Sequence, residues 1–396
     1  MIGEIRGRAR GPGVIVPDAV AALQQLEALG HDEPILLAYH PVARLNPYQA
    51  LLYREAWQHG IAPIPLYRLA DLSELQAAAR NAGAHLVLHL HWTSSVLWRT
   101  ETDEQARDAV DTFLAELDAF RAAGGDLVWS VHNVLPHDTE RPELEAALQQ
   151  GIVDRATVIH VLSERTPDIA REWFTIPPEK VLHVPHQSYA GAYLETVSRE
   201  DARWQLGIGP DEVVYALLGA IKPYKGTDRL LDAFDVLSSG DPGRRRLIVA
   251  GMPDQGGAVD RVLARCERHP FVLLHATTIP ADDMQLYLRA ADIVVLPYLR
   301  SLNSGVLMLA LTFGVPVVAP AAGSIPEILT PEVGRTFDPE SADSLLEALT
   351  AADALRSPEA RAAARRRAAD YDAERLSHEF GRGIRERVAA SLPTWA

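Results

Sequence analysis

Two loops of small and basic residues could bind a phosphate group. Residues 219–226 read GAIKPYKG and follow an apolar run, and residues 297–320 contain the turn Asn303-Ser304-Gly305 before an apolar helical stretch. Glycine lets a backbone approach a ligand, lysine supplies compact positive charge, and a helix N-terminus presents N–H groups and a positive dipole end. The candidate diphosphate-binding residues are Gly219, Lys222, Lys225, Asn303, Ser304 and Gly305. The alternative is a tight turn with exposed lysines, followed by an ordinary N-cap.

Neither loop carries a known nucleotide-binding fingerprint. No GxGxxG opens either half of the chain, and no GxxxxGK[ST] occurs. Glu327 follows another apolar run and could contact the ribose or base of a nucleotide, or could simply be a first-turn glutamate stabilised by the helix dipole. The sequence therefore predicts a phosphate site that is neither a Rossmann dinucleotide site nor a P-loop.

Histidines collect at the ends of two apolar runs in the first half. His89 and His91 alternate with apolar residues, so in a strand they project to the same face. The next run ends in VHNVLPHD, which contains His132 and Asp138. A histidine or carboxylate can take a proton near neutral pH. We predict Asp138 or His132 as a general base and His91 as a residue that positions sugar or phosphate; hydrogen-bonded structural histidines are the alternative.

Further candidates lie near this cluster. Asn46-Pro47-Tyr48 stands where a strand turns into a helix, and Asn46, Tyr48 and His89 are predicted to contact an acceptor. The plainer interpretation of Asn46 is a helix cap with proline at the first helical position. No acidic cluster has convincing metal-ligand spacing, so we expect a reaction without metal or bound cofactor.

The elements that must position these residues form two series. A chain of 396 residues exceeds what one core usually serves. Short apolar runs alternate with helical segments, which predicts α/β domains with doubly wound parallel sheets. We predict domains at 1–190 and 191–375, with a final helix at 376–396 that packs back toward the first. A helix is predicted over 46–59, and residues 341–392 are predicted to be helical and charged. The cleft between the domains is the expected active site.

Composition excludes several classes of protein. The formal charge of −15 argues against nucleic-acid binding, and the single cysteine, Cys266, excludes an intramolecular disulfide framework. No apolar stretch has the roughly 18–20 residues of a membrane span, and the N-terminus lacks a secretory h-region. We expect a cytoplasmic protein, with peripheral contact at the inner membrane face as an open alternative.

Four motifs together resemble a known family. HLHW (89–92), VHNVLPHD (131–138), KPYKG (222–226) and SLNSGVLMLALTFGVPVVAP (301–320) are similar to GT-B glycosyltransferases of the family 4-like group. More narrowly, they resemble bacterial GDP-mannose:glycolipid 4-β-mannosyltransferases. The resemblance implies two Rossmann-like domains facing across a cleft, a nucleotide-diphosphate sugar as co-substrate, and a glycolipid or small-molecule acceptor.

The chain departs from the family 4 pattern in two places. Ala220 stands where an arginine is common, and Lys225 matches the following lysine. The two glutamates of the family would fall at Ser301 and Leu309, and neither position is acidic. These departures favour transfer with inversion of configuration. A retaining transferase, a sugar-binding protein on the same scaffold and an epimerase remain alternatives.

Overall fold

The computed structural model describes residues 15–136, 139–240, 244–341 and 343–388. They form two compact units. The first comprises residues 15–162, 167–184 and 374–388, and the second comprises 163–166 and 185–373. The division at 184/185 compares with the predicted boundary at 190/191, and the last helix belongs to the first unit.

The first unit is built on a six-stranded sheet with strand order β2-β1-β3-β4-β5-β6, and every pairing is parallel. Residues 35–38, in a strand paired on both sides, have no exposed surface, as expected for a strand covered on both faces. The strands are β1 (Ile35–His40), β2 (Ile61–Pro65), β3 (His85–Leu90), β4 (Asp126–Val131), β5 (Val158–Val161) and β6 (Val181–His183). The accompanying helices are α1 (Ile15–Ala28), α2 (Tyr48–Leu52), α3 (Leu72–Asn81), α4 (Asp103–Ala122), α5 (Pro142–Arg155) and α6 (Thr166–Ala170).

The second unit repeats this plan with strand order β12-β11-β10-β7-β8-β9, again parallel throughout. Its strands are β7 (Val213–Leu218), β8 (Arg245–Ala250), β9 (Val272–His275), β10 (Ile293–Val295), β11 (Val317–Pro320) and β12 (Gly334–Phe337). Its helices are α7 (Arg199–Gln205), α8 (Thr227–Ser239), α9 (Gly257–Arg268), α10 (Met284–Ala290), α11 (Gly305–Thr312), α12 (Ile325–Ile328), α13 (Ser344–Ala352) and α14 (Pro358–Ala369), and α15 (Ala373–Val388) follows. Short 3-10 turns occupy Ala56–His59, Leu69–Asp71, Ser94–Val96, Pro178–Lys180, Pro223–Lys225, Ala281–Asp283 and Asp353–Leu355. The predicted pair of doubly wound parallel sheets is confirmed.

The predicted helix over residues 46–59 is wrong in its extent. Helix α2 ends at Leu52, and a 3-10 turn begins at Ala56. Between them the Ser377 hydroxyl, from α15, donates to the Leu52 carbonyl at 2.8 Å and accepts from the Glu55 N–H at 2.9 Å. A side chain inserted in this way replaces the intrahelical hydrogen bonds and breaks the helix.

The structure adds detail in two further segments. The segment predicted as helical from residue 341 forms three helices, because Pro358 begins α14 with Ser357 as its N-cap. Strand β12 was not predicted, since Gly334-Arg-Thr-Phe337 is short and mostly polar. It forms an edge of its sheet, where a strand needs no continuous apolar run.

Candidate active site

The two loops predicted to act together do meet in the second unit. Strand β7 is followed by Gly219, whose φ of +99° lies in the region that favours glycine. A Cβ atom at Gly219 would lie 3.4 Å from Lys225 Nζ and 3.8 Å from a methyl carbon of Val306, the second residue of α11. The Lys225 ammonium group is therefore held at the carboxyl end of β7, beside the start of α11.

The position of Lys225 is set by an aromatic neighbour. Its ammonium group donates to the Tyr298 hydroxyl at 3.2 Å and lies 4.8 Å from the centre of the Tyr298 ring. Burial lowers the pKa of Lys225, but the phenol groups of Tyr298 and Tyr224 raise it, and the net shift is above the ordinary value. Gly226 (φ +68°) allows close approach to Pro297, whose carbonyl oxygen would lie 2.0 Å from a Cβ atom. Lys225 is thus a fixed cation at neutral pH.

Lys222 has a different environment from Lys225. Its Nζ atom lies 3.4 Å from Oδ2 of Asp254, and the two side chains are 34% and 44% exposed. An ion pair of this exposure is weak and screened by solvent. Lys222 contributes an exposed charge that is partly balanced by Asp254, whereas Lys225 contributes a positioned one.

The start of α11 combines an N-cap with an anion-binding geometry. The Ser304 hydroxyl accepts from the Leu307 N–H at 3.2 Å, and the Ser304 carbonyl accepts from the Met308 N–H at 3.4 Å. Ser304 is therefore the N-cap that the plainer interpretation expected. The N–H groups of Gly305 and Val306 precede the first intrahelical bonds and are directed out of the helix. Capping by Ser304 and anion binding by these amides are compatible.

Tyr189 and His186, which the sequence motifs did not single out, also lie at this end of α11. Tyr189 Oη and His186 Nε2 lie 2.8 Å and 3.5 Å from the position that a Cβ atom of Gly305 would occupy. The His186 Nδ1–H donates to the Gln187 carbonyl at 2.8 Å, and burial lowers the pKa of His186 to about 4. His186 is neutral at physiological pH. The only sequence signal was the polar and aromatic composition of residues 185–193.

Glu327 is oriented by a partner that the sequence did not indicate. It lies on the short helix α12, half-buried, and Oε1 accepts from the Ser163 hydroxyl at 2.7 Å. Its backbone carbonyl accepts from Arg367 at 2.7 Å. Ser163 follows β5 in the chain but belongs to the second unit. It is 164 residues from Glu327 along the sequence.

In the first unit, His89 and His91 project to the same face, where they contact one another and the end of α2. Their ring centroids are 4.3 Å apart. His89 has no exposed surface, and its nitrogens lie 2.7 Å from the Tyr53 hydroxyl and 2.8 Å from the Ser130 hydroxyl. His91 is 1% exposed and lies 2.7 Å from Tyr53 Oη and 3.0 Å from His132 Nε2. Burial lowers the pKa of both imidazoles well below the ordinary value, with neighbouring histidines adding to the shift.

These contacts change the roles predicted for three residues. His89 and Tyr48, 0% and 1% exposed, do not fit the direct acceptor contact predicted for them, because buried groups act through their neighbours. The Tyr48 ring packs edge-on against His132, with centroids 5.2 Å apart. His91 likewise does not fit a direct contact with sugar or phosphate, since both of its nitrogens are hydrogen-bonded within the protein.

His132 is the residue of this group that is partly exposed. The Trp92 ring stacks on it with centroids 4.3 Å apart and an interplanar angle of 17°. The other candidate base, Asp138, lies outside the described residues. Asn46 Oδ1 accepts from the Tyr48 N–H at 3.0 Å and the Asn46 side chain is exposed. The N-cap of α2 is Pro47, however, so the plainer interpretation of Asn46 as the cap and Pro47 as the first helical residue is wrong by one position.

Metal binding and membrane spanning were searched over the described ranges. No group of three or more histidine, cysteine or acidic side chains there could hold a metal ion. In the same part of the chain, every helix is too short or too polar to cross a bilayer. A metal-independent reaction stays a prediction.

Two doubly wound parallel sheets are the architecture of the GT-B fold, and the predicted fold class is confirmed. Residues 198–371 match the model of the family "Glycosyl transferases group 1". The chain therefore carries a glycosyl transferases group 1 domain, and the resemblance predicted from its motifs is confirmed.

Comparison with known proteins supports this assignment at several levels. The chain is 30% identical to a D-inositol 3-phosphate glycosyltransferase of Corynebacterium aurimucosum over 56% of its own length and 54% of that relative, so it spans about half of it. It is 28% identical to a GDP-mannose:glycolipid 4-beta-D-mannosyltransferase of Xanthomonas campestris pv. campestris, over 71% of each chain. The structure of HepE from Anabaena in complex with UDP-glucose superposes with a TM-score of 0.65 at 14% identity, covering 89% of this chain and 99% of that one. That last likeness concerns the fold alone.

Proposed function

We propose that this protein is a glycosyltransferase that moves a hexose from a nucleotide-diphosphate sugar to a hydroxyl group of a glycolipid or small-molecule acceptor, with inversion at the anomeric carbon. The observation that carries the proposal is the placement of Lys225 Nζ between the end of β7 and the start of α11. A fixed ammonium group and two outward N–H groups suit the charge that grows on a departing diphosphate.

Each group has a role in the proposed reaction. The acceptor oxygen forms a bond to the anomeric carbon, and the bond from that carbon to the diphosphate oxygen breaks, with its electron pair leaving on the diphosphate. The proton of the acceptor hydroxyl passes to a base in the first unit, either His132 or Asp138. Lys225 and the amides of Gly305 and Val306 stabilise the leaving group, and Glu327 binds the nucleoside.

The absence of an acidic pair supports inversion. The positions where the family's glutamates would fall are Ser301 and Leu309, and Leu309 is 5% exposed within α11. A buried leucine cannot assist at the donor sugar as a carboxylate would. A single displacement needs one base and no second carboxylate, which matches the side chains present.

An acceptor with an apolar part fits the surface of the first unit. Leu45 and Trp98, 85% and 80% exposed, lie in the segments that follow β1 and β3. The likeness to a mannosyltransferase acting on a glycolipid supports the same acceptor class. Peripheral membrane contact by these residues is part of the proposal. We expect the protein to sediment with lipid vesicles, and the double substitution of Leu45 and Trp98 by serine to reduce that fraction; equal sedimentation of both proteins would contradict it.

A nucleotide-sugar screen tests the proposed activity. GDP, UDP, TDP and their sugars are first compared by thermal shift, and the stabilising sugar nucleotides are then incubated with lipid and small-molecule acceptors, starting with GDP-mannose. We expect release of nucleoside diphosphate that depends on the acceptor, and a product of inverted configuration by NMR. Retained configuration would indicate the retaining alternative, sugar exchange without acceptor would indicate an epimerase, and stabilisation without release would indicate a sugar-binding protein.

A further inference from the structure

Six side chains on one face of the first sheet form a continuous series of hydrogen bonds. The series begins at the Val184 carbonyl, which lies 2.9 Å from His160 Nε2, and ends at the partly exposed His132. Its successive contacts are His160 Nδ1 to Ser130 Oγ (2.7 Å), Ser130 Oγ to His89 Nε2 (2.8 Å), His89 Nδ1 to Tyr53 Oη (2.7 Å), Tyr53 Oη to His91 Nε2 (2.7 Å) and His91 Nδ1 to His132 Nε2 (3.0 Å). We refer to this set as the histidine series.

The direction of these hydrogen bonds is fixed at one end. A backbone carbonyl can only accept, so His160 must carry its proton on Nε2. In neutral His160 the other nitrogen, Nδ1, then accepts from the Ser130 hydroxyl. The Ser130 oxygen in turn accepts from His89 Nε2–H, which leaves His89 Nδ1 as an acceptor for the Tyr53 hydroxyl.

The same rule determines the outer half of the series. Tyr53 has one hydroxyl proton, and it is donated to His89, so the Tyr53 oxygen accepts from His91 Nε2–H. His91 Nδ1 is then an acceptor, and the contact with His132 requires the proton on His132 Nε2. In neutral His132 the remaining nitrogen, Nδ1, carries the lone pair.

The argument requires neutral histidines in the interior, and their surroundings provide this. His89 and His160 have no exposed surface, and the Phe380 ring of α15 lies 5.4 Å and 5.1 Å from their ring centroids. An imidazolium ion at His89 would be buried beside an aromatic ring and other imidazoles, without solvent to stabilise it. The described contacts of His89 and His91 are with neutral groups.

We infer that the Val184 carbonyl, acting through the histidine series, fixes His132 as the tautomer protonated on Nε2, so that its Nδ1 accepts the proton of the acceptor hydroxyl. This inference rests on the proposed glycosyl transfer. His132 is the catalytic residue, and Tyr53 and Ser130 are positioning residues that act through the intervening histidines.

The series selects a tautomer and does not conduct a proton away. When the acceptor oxygen bonds to the anomeric carbon, its proton moves to His132 Nδ1 and the resulting imidazolium ion donates from Nε2 to His91. Further transfer would have to end on the Val184 carbonyl, which is not basic enough to take up a proton. The proton therefore returns from His132 to solvent or to the leaving diphosphate after transfer.

Nitrogen-15 NMR of histidine side chains tests the tautomer directly, without substrate. The full-length protein is labelled at its 14 histidines, and the His132 signals are assigned by their loss in His132→Gln. We expect an unprotonated Nδ1 and a protonated Nε2 in the wild type at neutral pH. In Tyr53→Phe, the His91 Nε2–H loses its acceptor, so nothing fixes which nitrogen of His91 carries the proton. The hydrogen bond between His91 and His132 can then run in either direction, and we expect a mixture of His132 tautomers.

Two further variants separate this role from simple packing. Tyr39→Phe removes a hydroxyl from a ring 4.9 Å from the Tyr53 ring, outside the histidine series, and should leave the His132 signals unchanged. Ser130→Ala interrupts the series one histidine further in, and should produce the same mixture if Tyr53→Phe proves unstable. A proton on His132 Nδ1 in the wild type, or an unaltered His132 tautomer in both interrupted variants, would overturn the inference.

Kinetics then connect the tautomer to the reaction. We expect kcat of Tyr53→Phe to fall in proportion to the fraction of His132 in the wrong tautomer, with the donor KM unchanged. A full change of tautomer without any change in kcat would overturn the catalytic part of the inference. Failure of the proposed function itself is distinguishable, because it would appear as absent nucleotide release in the wild type while the NMR result stood.

Discussion

The Ser163 hydroxyl donates a 2.7 Å hydrogen bond to Oε1 of Glu327. The bond orients a half-buried carboxylate on α12, and the proposed contact with a ribose hydroxyl or a base N–H is assigned to its second oxygen. A hydrogen bond from the Glu327 carboxylate to the nucleotide would contribute about 1.5–3 kcal/mol, and loss of the orienting Ser163 hydroxyl should cost less, about 0.5–1.5 kcal/mol.

We therefore expect Glu327→Ala to weaken binding of the nucleotide sugar about tenfold or more, and Ser163→Ala to weaken it about two- to tenfold, with little change in kcat for either. Isothermal titration with the sugar nucleotide found in the thermal-shift screen measures both. Glu332→Ala, at an exposed position in the turn before β12, is the control and should bind like the wild type. Wild-type affinity in Glu327→Ala would remove this residue from the donor site.

The two lysines of the loop after β7 should differ in their importance. Lys225 is held at 3.2 Å by Tyr298, whereas Lys222 is paired with Asp254 at 3.4 Å and is 34% exposed. Loss of one positioned donor to a developing negative charge typically lowers kcat about 10²–10³-fold. We expect a decrease of that size for Lys225→Ala and less than about tenfold for Lys222→Ala, measured by steady-state release of nucleotide. A larger effect at Lys222, with both variants folded by circular dichroism, would reverse the assignment.

Local sequence patterns predicted most of the sheets and the shared face of the histidines. Apolar runs such as 213–218 fall within strands, and alternation placed His89 and His91 on one side of β3. Such patterns depend only on the spacing of apolar and polar residues along the sequence. The same patterns predict which loops follow strands, and this placed Lys225 and Gly305 among the candidate site residues.

The partners of these residues could not be predicted in the same way. Tyr53 is 36 residues before His89, and Ser377, which contacts the end of helix α2 beside Tyr53, is 325 residues after Leu52. The contact between Ser163 and Glu327 likewise depends on a chain crossing from the first series to the second unit. Contacts between residues so far apart in the sequence follow from the packed fold, and no local spacing of residues indicates them.

Gly305 should be intolerant of even a methyl group. The Cβ atom of an alanine there would lie 2.8 Å from Tyr189 Oη, which is closer than packed atoms allow. We expect Gly305→Ala to lose about 1–3 kcal/mol of stability and to bind the nucleotide diphosphate more weakly, because either Tyr189 or the start of α11 must move. Chemical denaturation and titration with nucleotide measure the two effects.

A matched glycine and a second substitution control this result. Gly257 is the first residue of α9 as Gly305 is of α11, and its nearest neighbour would lie 3.9 Å away, so Gly257→Ala should be neutral or slightly stabilising. Tyr189→Phe removes the oxygen that the alanine would contact. Stability should return in Gly305→Ala/Tyr189→Phe, and a double variant no more stable than Gly305→Ala would show that the Tyr189 hydroxyl is not the obstacle.

Glu145 on α5 should make stability fall as pH rises. Its side chain is 4% exposed, Oε2 has no hydrogen-bond partner among the described residues, and burial raises the pKa of the carboxyl group from 4.5 to about 7. Between these two values the folded protein keeps a proton that the unfolded chain releases, so each unit of pH in this window lowers the free energy of unfolding by up to about 1.4 kcal/mol. Below pH 4.5 both states are protonated and the penalty is absent.

Glu145→Gln removes the titration while keeping the shape of the neutral acid. The variant should be more stable than the wild type by on the order of 2–3 kcal/mol above pH 7, and the difference should vanish toward pH 4.5. Urea unfolding at a series of pH values measures it. Glu143→Gln, at an exposed position in the first turn of the same helix, should show no such dependence. A carboxylate stabilised by a cation would give the opposite pH dependence. If the wild type instead became more stable than Glu145→Gln as the pH rose above 5, Glu145 would be ionised in the folded protein.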